Sequence, residues 1–135
     1  MVSKVEKQSV LKPDLKILII DDVATMRKVM RKLLKEIGLC NVEEAENGER
    51  AWTMLNEKPY DLVISDWNMP KLKGIELVQK IRADEKLKAI PFLMVTSNNS
   101  REHVTEAAGK GVGCYLTKPF DVDKLRQMVS LVLRG

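Results

Sequence analysis

Two hydrophobic rhythms alternate along the chain. Short apolar runs fall at residues 16–20, 42–45, 61–65, 91–95 and 113–117. Several are β-branched and lack polar alternation, the pattern of strands buried on both faces. Between them the period changes to that of a helix. Met26, Val29, Met30, Leu33, Leu34 and Ile37 recur at the spacing of one helical face, and Gly38 follows as a stop. A second helix is predicted at 49–57 after the turn pair Asn47-Gly48, with Ala51, Trp52 and Leu55 inward. A third is predicted at 75–82 on Ile75, Val78 and Ile81, and a weakly apolar fourth at 101–110. A fifth, at 122–133, buries Val122, Leu125, Met128, Val129 and Val132, with Asp121 as its N-cap.

Five strand–helix units in this alternation predict an α/β fold: a doubly wound parallel sheet with helices on both faces and right-handed crossovers. Residues 1–14 are polar and read as a flexible leader, with Val10-Leu11 touching the body, and residues 15–135 form one domain. No second domain is expected after Gly135. At 135 residues with 44% apolar side chains, the chain can bury a proper core. No apolar run approaches the roughly 20 residues of a membrane span, and the N-terminus lacks a signal-peptide core, so a cytoplasmic location is expected.

Charge and cysteine usage narrow the classes. The net charge is +4. Much of the excess sits in the first helix, where Arg27, Lys28, Arg31, Lys32 and Lys35 face Glu36 alone, a pattern read as a solvated or protein-docking face. Nothing resembles a zinc finger or an aromatic RNA-binding strand, and no nucleic-acid partner is expected. Cys40 and Cys114 lack metal-ligand spacing and read as reduced, semi-buried thiols.

In an open parallel sheet ligands bind beyond the carboxyl ends of the strands. The first strand ends in Asp21-Asp22, the third in Asp66 followed by Trp67-Asn68-Met69-Pro70, the fourth in Thr96-Ser97 and the fifth in Lys118-Pro119. The second contributes Asn47-Gly48, read as turn chemistry only. Three clustered carboxylates repel one another unless a cation neutralises them, and an all-oxygen donor set suits Mg²⁺. With Lys118 beside them the formal charges cancel, and an aspartate so placed can act as a phosphoryl acceptor. Each residue has a plainer reading. Asp21 or Asp22 could cap the first helix, Asp66 could be a turn residue, Thr96 and Ser97 could be caps, Lys118 could be a surface lysine, and Tyr115 a half-buried strand aromatic. Their joint occurrence at four strand ends favours the chemical reading. A dinucleotide or P-loop site lacks its glycines after the first strand, and the lone His103 has no nucleophile elbow.

Asp21-Asp22, Asp66, Thr96 and Lys118-Pro119 on a five-fold strand–helix repeat resemble the receiver domain of two-component response regulators. Stretches such as Thr25-Met26-Arg27-Lys28, Val42-Glu43-Glu44-Ala45-Glu46, Ile64-Ser65-Asp66-Trp67-Asn68-Met69-Pro70 and Leu93-Met94-Val95-Thr96 resemble the single-domain receivers of chemotaxis in particular. The resemblance implies a flavodoxin-like (βα)5 fold with strand order 2-1-3-4-5. It implies that Asp66 accepts phosphate from a sensor histidine kinase. Asp22, Asp66 and the Asn68 carbonyl would hold Mg²⁺, with Asp21 acting through water. Lys118 would pair with the phosphoryl group, Thr96 would move to hydrogen-bond it, and Tyr115 would rotate inward. Lys118-Pro119 would be cis.

The output surface would be the fourth helix, fifth strand and fifth helix, which in chemotaxis receivers meets the flagellar motor switch and the kinase. The implied protein is a monomeric phosphoacceptor and not an enzyme, with a phosphatase among its further partners. A phosphate sink or relay, or regulation of another partner, remains an alternative, and a Mg²⁺-dependent phosphatase using Asp66 as nucleophile a third. The longer leader and Ser97-Asn98-Asn99 depart from the family pattern. The glycines at 109, 111 and 113 predict a frayed end to the fourth helix.

Overall fold

A computed structural model describes residues 11–67, 69, 71–97 and 114–134. The predicted fourth helix with its glycine-rich end, the leader residues 1–10, and Asn68 lie outside the described residues. The elements are β1 (Ile17–Ile20), α1 (Ala24–Glu36), β2 (Val42–Ala45), α2 (Gly48–Glu57), β3 (Leu62–Asp66), α3 (Gly74–Ala83), β4 (Phe92–Thr96), β5 (Cys114–Thr117) and α4 (Val122–Arg134). The strands form one parallel sheet in the order β2-β1-β3-β4-β5.

Alternate strand residues point to opposite faces of this sheet, which divides the core in two. Leu18, Ile20, Val63, Phe92 and Met94 pack against Ala51, Met54 and Leu55 of α2 and Leu77, Val78 and Ile81 of α3. Ile17, Ile19, Leu62, Ile64, Leu93, Val95 and Leu116 pack against Met30 and Leu34 of α1 and Leu125, Val129 and Val132 of α4. The chain steps one way across the sheet from β1 to β2 and the other way from β2 to β3 and β4. Crossovers of a constant hand therefore put α1 on one face and α2 and α3 on the other.

The helix ends follow local chemistry. Gly38 adopts φ +89° with open space around it, so it is there for backbone freedom. Its N–H donates to the Lys35 carbonyl at 3.0 Å and that of Leu39 to the Leu34 carbonyl at 2.9 Å, a Schellman stop that buries Leu39 against Leu34. Burying Leu39 turns its neighbour outward: Cys40 is exposed, against the expected half-burial, while Cys114 is half-buried, and both are free thiols. The expected cap at α4 is present, with the Lys124 N–H donating to Asp121 Oδ1 at 2.8 Å. Val29, expected within the buried stripe of α1, lies at its edge and is 43% exposed. Leu11 packs on the α1–α4 core. Among the described residues no helix is long and apolar enough to cross a membrane.

Candidate functional site

The sheet order reverses between β1 and β3, and both strands deliver a carboxylate at their carboxyl ends. Asp21 directly follows β1. Its N–H donates to the Ala45 carbonyl at 3.2 Å, and its Oδ1 accepts the Val23 N–H at 2.9 Å. The N-cap of α1 is Val23, with no side-chain cap, so neither Asp21 nor Asp22 has the plain capping role. Asp21 is buried, at 7% exposure, whereas Asp22 is exposed.

Asp66 is the last residue of β3 and still lies in the ladder opposite Val95. Its Oδ1 accepts the Trp67 N–H at 2.9 Å, and its carbonyl accepts Ser65 Oγ at 3.0 Å. The following loop is clamped by two glycines. A methyl group at Gly74 would overlap the Asp66 carbonyl oxygen and sit 3.0 Å from the Met94 sulfur, and one at Gly48 would overlap the Leu72 carbonyl. The pair Asn47-Gly48 is therefore more than turn chemistry. Asn47 Oδ1 caps α2 through the Arg50 N–H at 2.8 Å, and Gly48 makes room for the loop that leaves the site.

Lys118 arrives from the opposite side. Its N–H donates to the Thr96 carbonyl at 2.7 Å, which extends the β4–β5 ladder past Thr117. The Lys118-Pro119 peptide is cis, in line with the resemblance. Lys118 Nζ lies 3.6 Å from Asp66 Oδ1 and 3.7 Å from Asp21 Oδ2, and its side chain is only 22% exposed, so it is not a free surface lysine. One carboxylate oxygen from each of Asp21, Asp22 and Asp66 lies within 4.8 Å of the others. Thr96 is 3% exposed. It shares a sheet face with Tyr115, which is half-buried against the α2–α3 core. Ser97 is exposed.

Beneath the carboxylates lies a cavity of about 20 Å³, walled by Ile19, Ile64, Val95, Met26, Met30 and Phe120. This apolar floor explains the electrostatics. Burial pushes the Asp66 carboxyl above its ordinary range, the Lys118 ammonium opposes the shift, and the neighbouring Asp21 and Asp22 add to it. Among the described residues the donor set fits a hard divalent cation: three carboxylates within reach of one another, no sulfur or imidazole ligand, and one ammonium that leaves them partly uncompensated.

Residues 17–130 match the family model of the response regulator receiver domain. The chain belongs to the receiver family. Within that family it is 42% identical over 125 residues to the chemotaxis protein CheY-3 of Vibrio cholerae, covering 93% of this chain and 96% of the relative. It is 42% identical over 118 residues to the chemotaxis protein CheY of Pseudomonas aeruginosa, covering 87% and 95% of the two chains. Among solved structures, CheY4 of Vibrio cholerae superposes with a TM-score of 0.81 at 32% identity, covering 87% of this chain and 98% of that one. A putative response regulator of Chloroflexus aurantiacus reaches 0.84 at 27% identity, covering 90% and 98%. The chain is thus a receiver related to the chemotaxis proteins, in a family of phosphoacceptor signalling domains.

Three features of this receiver were not visible in the sequence pattern. Gly74 opens α3 just before its first apolar residue, where any small residue reads alike, so its close approach to Asp66 leaves no local signal. Gly48 hides inside a turn pair for the same reason. Arg27 belongs to a basic stretch expected to face solvent, yet its side chain is only 16% exposed and ion-paired to Glu44. The available hint was Glu44 itself, an acid inside a short strand, with Arg27 and Arg31 one helical turn apart.

Proposed function

We propose that residues 15–135 act as a single-domain response regulator that accepts a phosphoryl group on Asp66 from a sensor histidine kinase and then binds the flagellar motor switch. One observation carries this reading. A single ammonium, Lys118, stands within 3.7 Å of a carboxylate oxygen from each of Asp21 and Asp66, with Asp22 completing the acidic group.

The chemistry follows from that arrangement. The phosphorus–nitrogen bond of a phosphohistidine breaks as the Asp66 carboxylate oxygen bonds to phosphorus, and the imidazole keeps the electron pair and takes up a proton. Lys118 pairs with the incoming phosphoryl oxygens and offsets their charge. By the family resemblance, Asp22, Asp66 and the Asn68 carbonyl would hold Mg²⁺, with Asp21 acting through water, and the ion would supply further positive charge for those oxygens. Thr96, buried at the end of β4, hydrogen-bonds the phosphoryl group in this reading, and Tyr115, on the same sheet face, follows it inward; the shared face supports the pairing. The phosphoryl group stabilises one of two arrangements of this pair, which changes the surface around β5. The 42% identity to proteins named for chemotaxis supports a chemotactic role, and the motor switch is the partner that the family resemblance implies.

The test is a titration of the N-terminal peptide of the flagellar switch protein into the full chain, with Mg²⁺ and with or without beryllofluoride as an acyl-phosphate mimic. Trp67, which is 5% exposed and adjacent to Asp66, reports loading once Trp52 is replaced by Phe. Tighter peptide binding only when loaded is the expected result. Loading without tighter binding overturns the motor assignment in favour of a phosphate sink or relay. In the Asp66→Asn variant, acetyl phosphate is expected to leave no stoichiometric Mg²⁺-dependent label; a label there removes Asp66 as acceptor.

A further inference from the structure

Asp21 is held at every polar atom. Its N–H donates to the Ala45 carbonyl at 3.2 Å, its Oδ1 accepts the Val23 N–H at 2.9 Å, and its Oδ2 lies 3.7 Å from Lys118. Its carbonyl oxygen, which orients the peptide leading to Asp22, accepts from Arg27 Nη1 at 2.6 Å. The same guanidinium donates through Nε to Glu44 Oε1 at 2.9 Å. Glu44 Oε2 in turn accepts from Arg31 Nε at 2.9 Å. Burial alone would push the Glu44 carboxyl up, but the hydrogen bonds from Arg31 and Arg27 outweigh it and hold Glu44 below its ordinary range. Glu44 is thus an ionised brace, fixed in β2, against which Arg27 is locked.

We propose that Arg27 is the positioning residue of the acid pair: braced on Glu44, its guanidinium fixes the Asp21–Asp22 peptide so that both carboxylates face Asp66, and it thereby sets the site's affinity for a divalent cation. The proposal rests on the reading that these three carboxylates hold Mg²⁺. It makes a counterintuitive demand. Arg27 is a cation beside a cation site, so by charge alone its removal would tighten metal binding. As a positioning residue, its removal must loosen binding. The sign of the change separates the two.

Arg31 supplies the control, because it pairs with the same Glu44 and carries the same charge, while the Asp21 carbonyl is held by Arg27. Mg²⁺ binding would be measured by calorimetry on the full chain and on Arg27→Gln, Arg27→Lys and Arg31→Gln, with each variant's unfolding midpoint recorded in chelator. Arg27→Gln is expected to weaken Mg²⁺ about tenfold, the usual scale for a residue that orients a metal ligand. Arg27→Lys keeps the charge but cannot span Glu44 and the carbonyl with one ammonium, so it is expected to weaken binding at least about threefold. Arg31→Gln is expected to stay within about twofold. Should Arg27→Gln fail to fold, Arg27→Lys decides alone. Unchanged or tighter binding in the Arg27 variants overturns the proposal, as does an equal loss in Arg31→Gln. If the parent itself binds no Mg²⁺, the reading of the site beneath it falls, and the proposal with it.

Discussion

Burial and charge pull on the Asp66 carboxyl in opposite directions. The apolar floor raises it, and Lys118 at 3.6 Å offsets only part of the rise. The consequence for stability has a definite sign. A carboxyl raised in the folded state holds its proton more tightly there than in the unfolded chain, so stability falls as pH rises from the ordinary aspartate value of about 3.9 through the raised one. At neutral pH, with no metal present, the ionised Asp66 therefore opposes folding. Asp66→Asn removes that penalty while leaving Lys118 its second partner, Asp21, at 3.7 Å. We expect Asp66→Asn to have the higher urea midpoint at pH 7.5 in chelator, with the gap closing as the pH is lowered to about 3.9. A variant less stable than the parent at neutral pH contradicts the account. The residue types at this site were legible in the sequence because each follows an apolar run. The inward turn of Arg27 was not, because side-chain direction within a basic stretch depends on Glu44, an acid on another element.

At the scale of elements, two glycines show how one substitution has two different effects. Gly38 ends α1 at φ +89° with nothing nearby, whereas Gly74 starts α3 against the Asp66 carbonyl. Gly38→Ala should cost about 1 kcal/mol, the usual cost of a left-handed residue with a Cβ, and leave acetyl phosphate labelling at the parent rate. Gly74→Ala meets no such backbone penalty, and its added methyl must displace the end of β3. We expect its labelling to slow about tenfold, since small misplacements of a reacting group are costly. Labelling by Gly74→Ala at the parent rate would rule out the clamp. Urea melts and a labelling time course separate the two variants.

Element boundaries carry the same lesson. The apolar pattern placed the third strand at 61–65, but the strand runs Leu62–Asp66. Asp61 is spent on the Lys16 N–H, which its Oδ2 accepts at 2.8 Å, and Asp66 remains in the ladder opposite Val95. The proposed acceptor is thus the last residue of the strand, held in the ladder, as expected of the third strand's end although the apolar run itself stops at Ser65. Hydrophobicity alone could not show this, because a terminal carboxylate reads as polar whether or not its backbone is paired.

Across the whole molecule, the sheet order decides that the acids meet. Periodicity revealed five strands and their alternation with helices, but β1 and β3 become neighbours only through the reversal in β2-β1-β3-β4-β5, an order reached from the family resemblance. That order brings Asp21, Asp22 and Asp66 together in the folded state, whereas in the unfolded chain Asp66 lies more than forty residues from the adjacent pair. A cation that needs all three binds the folded chain and not the unfolded one, so it must stabilise the fold by mass action. At about 100 times the dissociation constant the gain is about 2.7 kcal/mol. Asp22 is the acid to test, because it is exposed and its loss should leave the core untouched. We expect Mg²⁺ to raise the parent's unfolding free energy by that amount and to leave that of Asp22→Asn nearly unmoved, while the two have similar midpoints in chelator. Sodium chloride at matched ionic strength is the control, because screening alone also relieves repulsion among the acids. Equal stabilisation by both salts, or by Mg²⁺ in both proteins, would mean that the cluster responds to ionic strength and holds no ion.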